Sequence, residues 1–344
     1  MTGQTGKFKT KSKLLALCLT GLLAGGSLQA APLEQTKIEI VGVRDAQVSS
    51  QQIIAEKLGF FKENGLAVTN ILIQSGPEIG PMIAGGSAPL SIELTFTAII
   101  TKASGTNLKI VAPLAQVAGT QAVVGSKNLK LKSAKDLEGK TIGIPAGAAV
   151  MIAIEGMGKE LGVDISKIDF VNLAPADAIL AMEKGDVDGV AFWEPYVTMA
   201  ATATDNFLFS GNKSNLPEKQ GATNWMSAHT TIQATDEYLA ANPNTIKAVL
   251  KSLAQATDFI NNNRAEAIKI LAPELGIDEK QLAEIMSRNT YSMQVDQSYW
   301  DGLTSVASFF KAGGAISSIP DQSSYNDFSL LKDIGPSYLE VGMK

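Results

Sequence analysis

In this chain of 344 residues, the side chains that could do chemistry stand just after apolar runs. Arg44, Asp45 and Gln47 follow the first run, Ser75 and Gly76 the second, Glu93 and Thr95 the third, and Trp193 with Glu194 a later one. The turn Ala146-Gly147-Ala148-Ala149 opens a helical pattern, and Asn224, Trp225 and His229 stand on a segment beyond it. Arg44 is one of three arginines, the others being Arg264 and Arg288. A guanidinium fork suits a planar or tetrahedral oxyanion, through charge-assisted hydrogen bonds of roughly 1.5 to 3 kcal/mol each. A surface ion pair with Asp45 or Glu93 accounts for Arg44 equally well. Backbone N–H groups and the helix dipole at Gly147 and Ala148 also favour an anion, although a plain tight turn explains those residues no less well. Glu93 pulls the other way, because a carboxylate in an oxyanion cleft is repulsive unless a cation pairs with it. A zwitterionic or aminated solute reconciles the set. Glu93 and Asp45 then take an ammonium, Arg44 and the helix end take an acid group, and Trp193 or Trp225 offers a cation–π face worth roughly 0.5 to 2 kcal/mol. Packing on the hinge side of the core is the other reading of Trp193.

Catalysis has no comparable constellation. The chain has one histidine and one cysteine, whereas a metal site wants two or more such ligands or a close carboxylate cluster. No Gly-x-Ser-x-Gly elbow, Walker phosphate loop or Gly-x-Gly-x-x-Gly turn occurs. No catalytic residue, metal or cofactor is expected, and His229 reads as a packing or hinge residue.

The N-terminus sets the compartment. Lys7, Lys9, Lys11 and Lys13 precede an apolar stretch, Leu14 to Leu23, and Leu28-Gln29-Ala30 stands before Ala31-Pro32 as a cleavage site. The stretch is broken by Gly21, Gly25 and Gly26 and falls short of the roughly 20 apolar residues that span a bilayer. Leu17 before Cys18, in place of a small residue, argues against a lipid anchor. Cys18 leaves with the signal, so a disulfide-free exported protein is expected. Without the four signal lysines, 25 of the 29 basic side chains remain against 34 acids, a net charge of about −9. That charge disfavours nucleic acid or an anionic membrane as partner.

The elements that must position these residues alternate. Strands are expected over 38–43, 67–73, 90–94, 108–112, 140–144 and 187–192, separated by helices such as 52–61 and 148–161. Two stretches repeat one plan of loop, short helix, glycine stop and strand: Ser75-Gly76-Pro77 to Leu94, and Ala174-Pro175 to Phe192. From Asp236 to Gly314 the pattern turns to consecutive helices, which are expected to pack back on the first half. The fold class is therefore α/β, with two doubly wound lobes joined by a two-crossover hinge. The expected division is a signal peptide over 1–30, lobe I from 31–120 and 229–344, and lobe II from 121–228. Ligands of such sheets bind beyond the carboxyl ends of the strands, so the two lobes form a cleft.

The runs Gln52 to Phe61 and Gly65-Leu66-Ala67-Val68, the loop Ser75-Gly76-Pro77, Ser133 to Gly143, Gly185 to Val190 and Trp193-Glu194-Pro195-Tyr196 resemble the periplasmic solute-binding proteins of nitrate/sulfonate/taurine-type ABC transporters. The resemblance covers nearly all of the chain after the signal. It implies the two-lobed periplasmic-binding-protein fold, a monomeric periplasmic receptor that closes on a small-molecule solute, and docking on an ABC permease in the inner membrane. The implied solute is a sulfonate or taurine-like compound, a related oxyanion or a zwitterion. In that family the turn at 146–149 offers Ser or Thr hydroxyls, and the alanines here argue against a tightly held sulfonate. A periplasmic sensor subunit, or a thiamine-related pyrimidine-precursor protein of the same fold, are the alternatives.

Overall fold

The computed structural model describes residues 1–4, 32–74 and 76–340, so nearly all of the expected signal peptide, and Ser75, lie outside the described residues. Four strands open the fold: β1 (Lys37–Val43), β2 (Ala67–Ile73), β3 (Leu90–Leu94) and β4 (Leu108–Gln116). Seven shorter ones follow: β5 (Ala122–Gly125), β6 (Thr141–Ile144), β7 (Asp169–Asn172), β8 (Gly189–Phe192), β9 (Phe207–Ser210), β10 (Lys213–Leu216) and β11 (Lys219–Ala222). β12 (His229–Thr235) and β13 (Thr290–Tyr291) then return to the first sheet.

The first sheet runs β13-β4-β12-β3-β1-β2 and the second β11-β10-β9-β5-β8-β6-β7. β1 is parallel to β2 and β3, and β6 is parallel to β7 and β8. These cores are the expected α/β units. The sequence alternation did not show β5, β7, β12, β13 or the antiparallel ribbon β9 to β11, and the strands of that ribbon, four residues each, are too short to carry a period. Strands buried on both faces normally read as unbroken apolar runs. β3 is such a strand, yet it carries Ser91 and Glu93 two residues apart and therefore on one face, while Leu90 and Ile92 enter the core opposite.

The helical tail joins the first sheet as anticipated. Ile246, Val249, Leu250 and Leu253 from the helix Pro243–Asn262, and Tyr299 and Leu303 from the helix Gln297–Ala312, share one hydrophobic core with Ile40, Ile92 and Val111 of the strands. The second sheet has a separate core on each face, one under the helix Val150–Leu161 and one around Val190, Phe192 and Val197.

The chain passes from the first sheet to the second at residues 117–121 and back at 223–228. The two crossings touch: the Val117 N–H donates to the Ala228 carbonyl at 2.8 Å. Gly211 ties them further. Its N–H donates to the carbonyls of Ala118 and Gln121, both at 3.1 Å, and its own carbonyl accepts from Trp225 at 2.9 Å and Met226 at 3.0 Å. A Cβ at Gly211 would stand 2.8 Å from the Cβ of Met226 and 2.9 Å from the Ala118 carbonyl oxygen, closer than real Cβ contacts come. Forcing a methyl into so tight a contact costs about 1–3 kcal/mol. Gly211→Ala is therefore expected to lower the unfolding free energy by that amount and the urea midpoint with it, and an unchanged midpoint would show that the crossings can part without cost.

Candidate functional site

The carboxyl ends of β1, β2 and β3 face those of β6 and β8 across a cavity of about 470 Å³. Of the residues singled out in the sequence, Asp45, Gln47, Gly76 and Glu93 line it from the first sheet, and Gly147, Ala148 and Trp193 from the second. The loops after parallel strands put them there.

Four others lie elsewhere, each for a physical reason. Arg44 is exposed, and its Nη1 donates to the Glu274 carbonyl at 2.9 Å, in the last turn of the helix Arg264–Leu275. There the guanidinium meets an unsatisfied carbonyl and the negative end of the helix dipole, and it pairs with neither Asp45 nor Glu93. Thr95 is buried as the first residue of the helix Thr95–Ala103. Glu194 is buried in an ion pair with Arg288, Oε1 to Nη1 2.6 Å, and also accepts from the backbone N–H and hydroxyl of Thr198, both at 3.0 Å. Trp225 belongs to the second core, edge-on to Phe209 with centroids 5.4 Å apart, and its Nε1–H donates to Glu160 Oε2 at 2.7 Å. The sequence reading missed Gln74, Gln121, Phe96 and Phe310 on the cavity wall. Gln74 precedes Ser75 in a loop already singled out, whereas Phe310 arrives from the helical tail and only tertiary structure could place it.

Gln47 couples the cavity to the outbound crossing and to β12. Its Oε1 accepts from the Thr120 hydroxyl at 2.5 Å, its carbonyl from the Thr230 hydroxyl at 2.7 Å, and its Nε2 reaches the Glu194 carbonyl at 3.5 Å. One residue on the cavity wall thus touches the outbound crossing and a loop of the second sheet through its side chain, and the start of β12 through its carbonyl.

The electrostatics are those of an acidic site. Glu93 is 4% exposed. Its Oε1 accepts from the Leu94 N–H at 2.8 Å, and its Oε2 has no hydrogen-bond partner. Burial, with Asp45 nearby as a further cause, pushes its carboxyl up to about 8. Asp45 is also raised, to about 6, by burial that outweighs its bonds from the Val48 and Gln47 N–H groups at 2.7 and 2.9 Å. No Lys, Arg or His is among the described residues of the cavity wall. The helix-end turn is a weak anion site as well: the Ala146 N–H goes to Asn172 Oδ1 at 2.9 Å and the Ala148 N–H to the Pro145 carbonyl at 3.1 Å. His229 is buried against the Tyr299 ring, its imidazole lowered to about 4 by burial. Among the described residues no group of three His, Cys, Asp or Glu side chains could hold a metal ion.

A ligand cleft between two α/β lobes joined by two crossings is the periplasmic-binding-protein fold. Within that class the chain belongs to the NMT1/THI5-like family, which matches residues 48–267. It is 23% identical over 239 residues to the taurine-binding periplasmic protein of Escherichia coli, covering 67% of this chain and 71% of that one. The crystal structure of the periplasmic aliphatic sulphonate binding protein SsuA from Escherichia coli matches with a TM-score of 0.69 at 18% identity, over 84% of this chain and 91% of that one. The alkanesulfonate-binding protein SsuA from Xanthomonas axonopodis pv. citri bound to MOPS gives 0.60 at 20% identity, over 87% and 100%.

The raised Glu93 has a consequence for stability. A carboxyl that holds its proton more tightly folded than unfolded destabilises the fold progressively as pH rises from about 4.5 towards 8. Glu93→Gln is therefore expected to raise the melting temperature of the ligand-free chain, more at pH 8 than at pH 5. A loss of stability at both pH values would mean that the carboxylate is satisfied in the fold.

Proposed function

We propose that this chain is the extracytoplasmic solute-binding component of an ABC importer, which captures a small solute by hinge closure and delivers it to a membrane permease. The observation that carries the reading is the cavity walled from both lobes, with Gln47 linking its wall to the outbound crossing and to β12. The names of the taurine- and sulfonate-binding relatives support it. The proposed location is the periplasm, reached through a signal peptide over 1–30. The proposed lobes are 31–120 with 229–344, and 121–228, and the mature chain is proposed to work as a monomer.

The mechanism follows from two rigid sheets on a narrow hinge. Without solute the lobes sample open states, and a solute that touches both walls shifts the population towards the closed state by its differential affinity. Asp45, Gln47 and Glu93, with Ser75 and Gly76, grip from lobe I; Trp193 and the Gly147–Ala148 turn complete the grip from lobe II. Arg44, Thr95, Glu194 and Trp225 hold structure around the cleft instead.

The test is a thermal-shift screen of residues 31–344 against sulfonates, nitrate, bicarbonate, amino acids, amines and pyrimidines, with small-angle scattering on every hit. A solute at about 100 times its Kd adds roughly 2.7 kcal/mol of stability, and the reading expects that same solute to shrink the radius of gyration. A stabilising solute that leaves the radius unchanged contradicts capture by closure, and catalysed turnover would favour an enzyme.

A further inference from the structure

A second cavity, of about 640 Å³, adjoins the cleft between the helices Ile79–Ala84 and Thr95–Ala103. The two share Gly76, Glu93, Leu94, Phe96 and Phe310. Their characters differ. The cleft presents Asp45, Gln47, Gln74 and Gln121, whereas the annex is walled by Pro81, Ala84, Ile100 and two phenyl rings, with Thr97, Thr101, Ser104 and Thr106 completing it. Phe96 and Phe310 stand edge to face, centroids 5.7 Å apart. Glu93 sits at the junction with its unpartnered Oε2. Gly76 leaves room for that oxygen: a Cβ there would lie 2.7 Å from it.

We infer that the captured solute is an organic amine, with its ammonium group seated between Glu93 and Asp45 and an apolar body lying past Phe96 in the annex. The inference rests on the solute-capture reading and adds the solute class. A buried carboxylate is costly unless a cation pairs with it, and the described walls of both cavities supply none. An anionic solute would instead meet two acids with no protein cation to offset them, because Arg44 is turned to Glu274 and Arg288 is held by Glu194. A positively charged head supplies the missing partner for Oε2. Burying an apolar tail between Ile100 and the two rings adds affinity at roughly 25 cal/mol per Å².

The amine also fixes the sign of the pH dependence. Glu93 must lose its proton to pair with an ammonium. Around it stand Thr231, its cross-strand partner on β12, Val43 at the end of β1, Gly76 after β2 and Phe96 on the following helix; Asp45 is the one other ionisable side chain on the described walls. Affinity for an alkylammonium therefore rises with pH up to about 8, by at most about tenfold per unit. A solute that accepts a hydrogen bond from protonated Glu93 would show the opposite slope.

The test is isothermal titration of residues 31–344 with hexylamine, 2-phenylethylamine, methylamine, 1-hexanesulfonate and taurine between pH 6 and pH 8.5, with scattering on each pair that binds. The two amines with apolar bodies are expected to bind, to close the chain and to bind more tightly at higher pH, with methylamine about tenfold or more weaker. Glu93→Gln should weaken hexylamine about tenfold or more, the loss of one charge-assisted contact. Ala84→Phe, at an exposed position, should fill the annex and weaken hexylamine while sparing methylamine. If hexanesulfonate or taurine binds and closes the chain while the amines do not, the amine assignment is overturned and solute capture stands. Binding of the amines without closure overturns capture itself, and failure of all five probes to bind overturns the amine assignment.

Discussion

The paired hydrogen bonds of Gly211 decide how the two halves of this protein meet. Its N–H reaches the outbound crossing at Ala118 and Gln121, and its carbonyl reaches the returning one at Trp225 and Met226, so both crossings are laced to a single residue in the turn between β9 and β10. Because the crossings are only five and six residues long, over 117–121 and 223–228, this lacing sets which strand ends face one another. The cleft follows from that constraint. The loops after β1 and β2 and the carboxyl end of β3 meet the loops after β6 and β8, and Gln47 bridges the cleft wall, the outbound crossing and β12. The buried Glu194–Arg288 pair adds a second tie, joining the loop after β8 to the end of the helix Glu279–Ser287.

Against this frame the composition of β3 is a deliberate exception. A strand buried on both faces would be more stable with apolar residues throughout, yet Ser91 and Glu93 occupy one face and leave Glu93 Oε2 unpaired. The helix-packed core around Ile92 and Leu90 is what makes such a residue tolerable. A binding protein is stabilised by its solute through mass action, so a site that destabilises the empty chain is compatible with a stable liganded one.

Much of the architecture was legible because it lives on long or periodic signals. β1, β2 and the helices of the tail follow from runs long enough to show a period, whereas β6 and β8, of four residues each, follow from the proline and glycine signals beside them. The positions of Asp45, Gly76, Gly147 and Trp193 on the cavity wall follow from the rule that loops after parallel strands face the cleft, and Glu93 stands at the carboxyl end of β3 itself. Arg44 shares that rule and still turns away, because the end of a helix some 230 residues later offers its guanidinium a carbonyl. Glu194 and Trp225 are likewise claimed by Arg288 and Glu160, partners distant in sequence. Long-range pairing of this kind has no local signature. The annex has none either, since it needs Phe310 brought from the tail onto the helix that follows β3.

The most direct test of this account is a crystal structure of residues 31–344 with a solute that stabilises the chain. The account predicts closed lobes with the solute in contact with Glu93 on one side and with Trp193 or the Gly147–Ala148 turn on the other. A solute resting on one lobe alone, or seated outside this cleft, would contradict it.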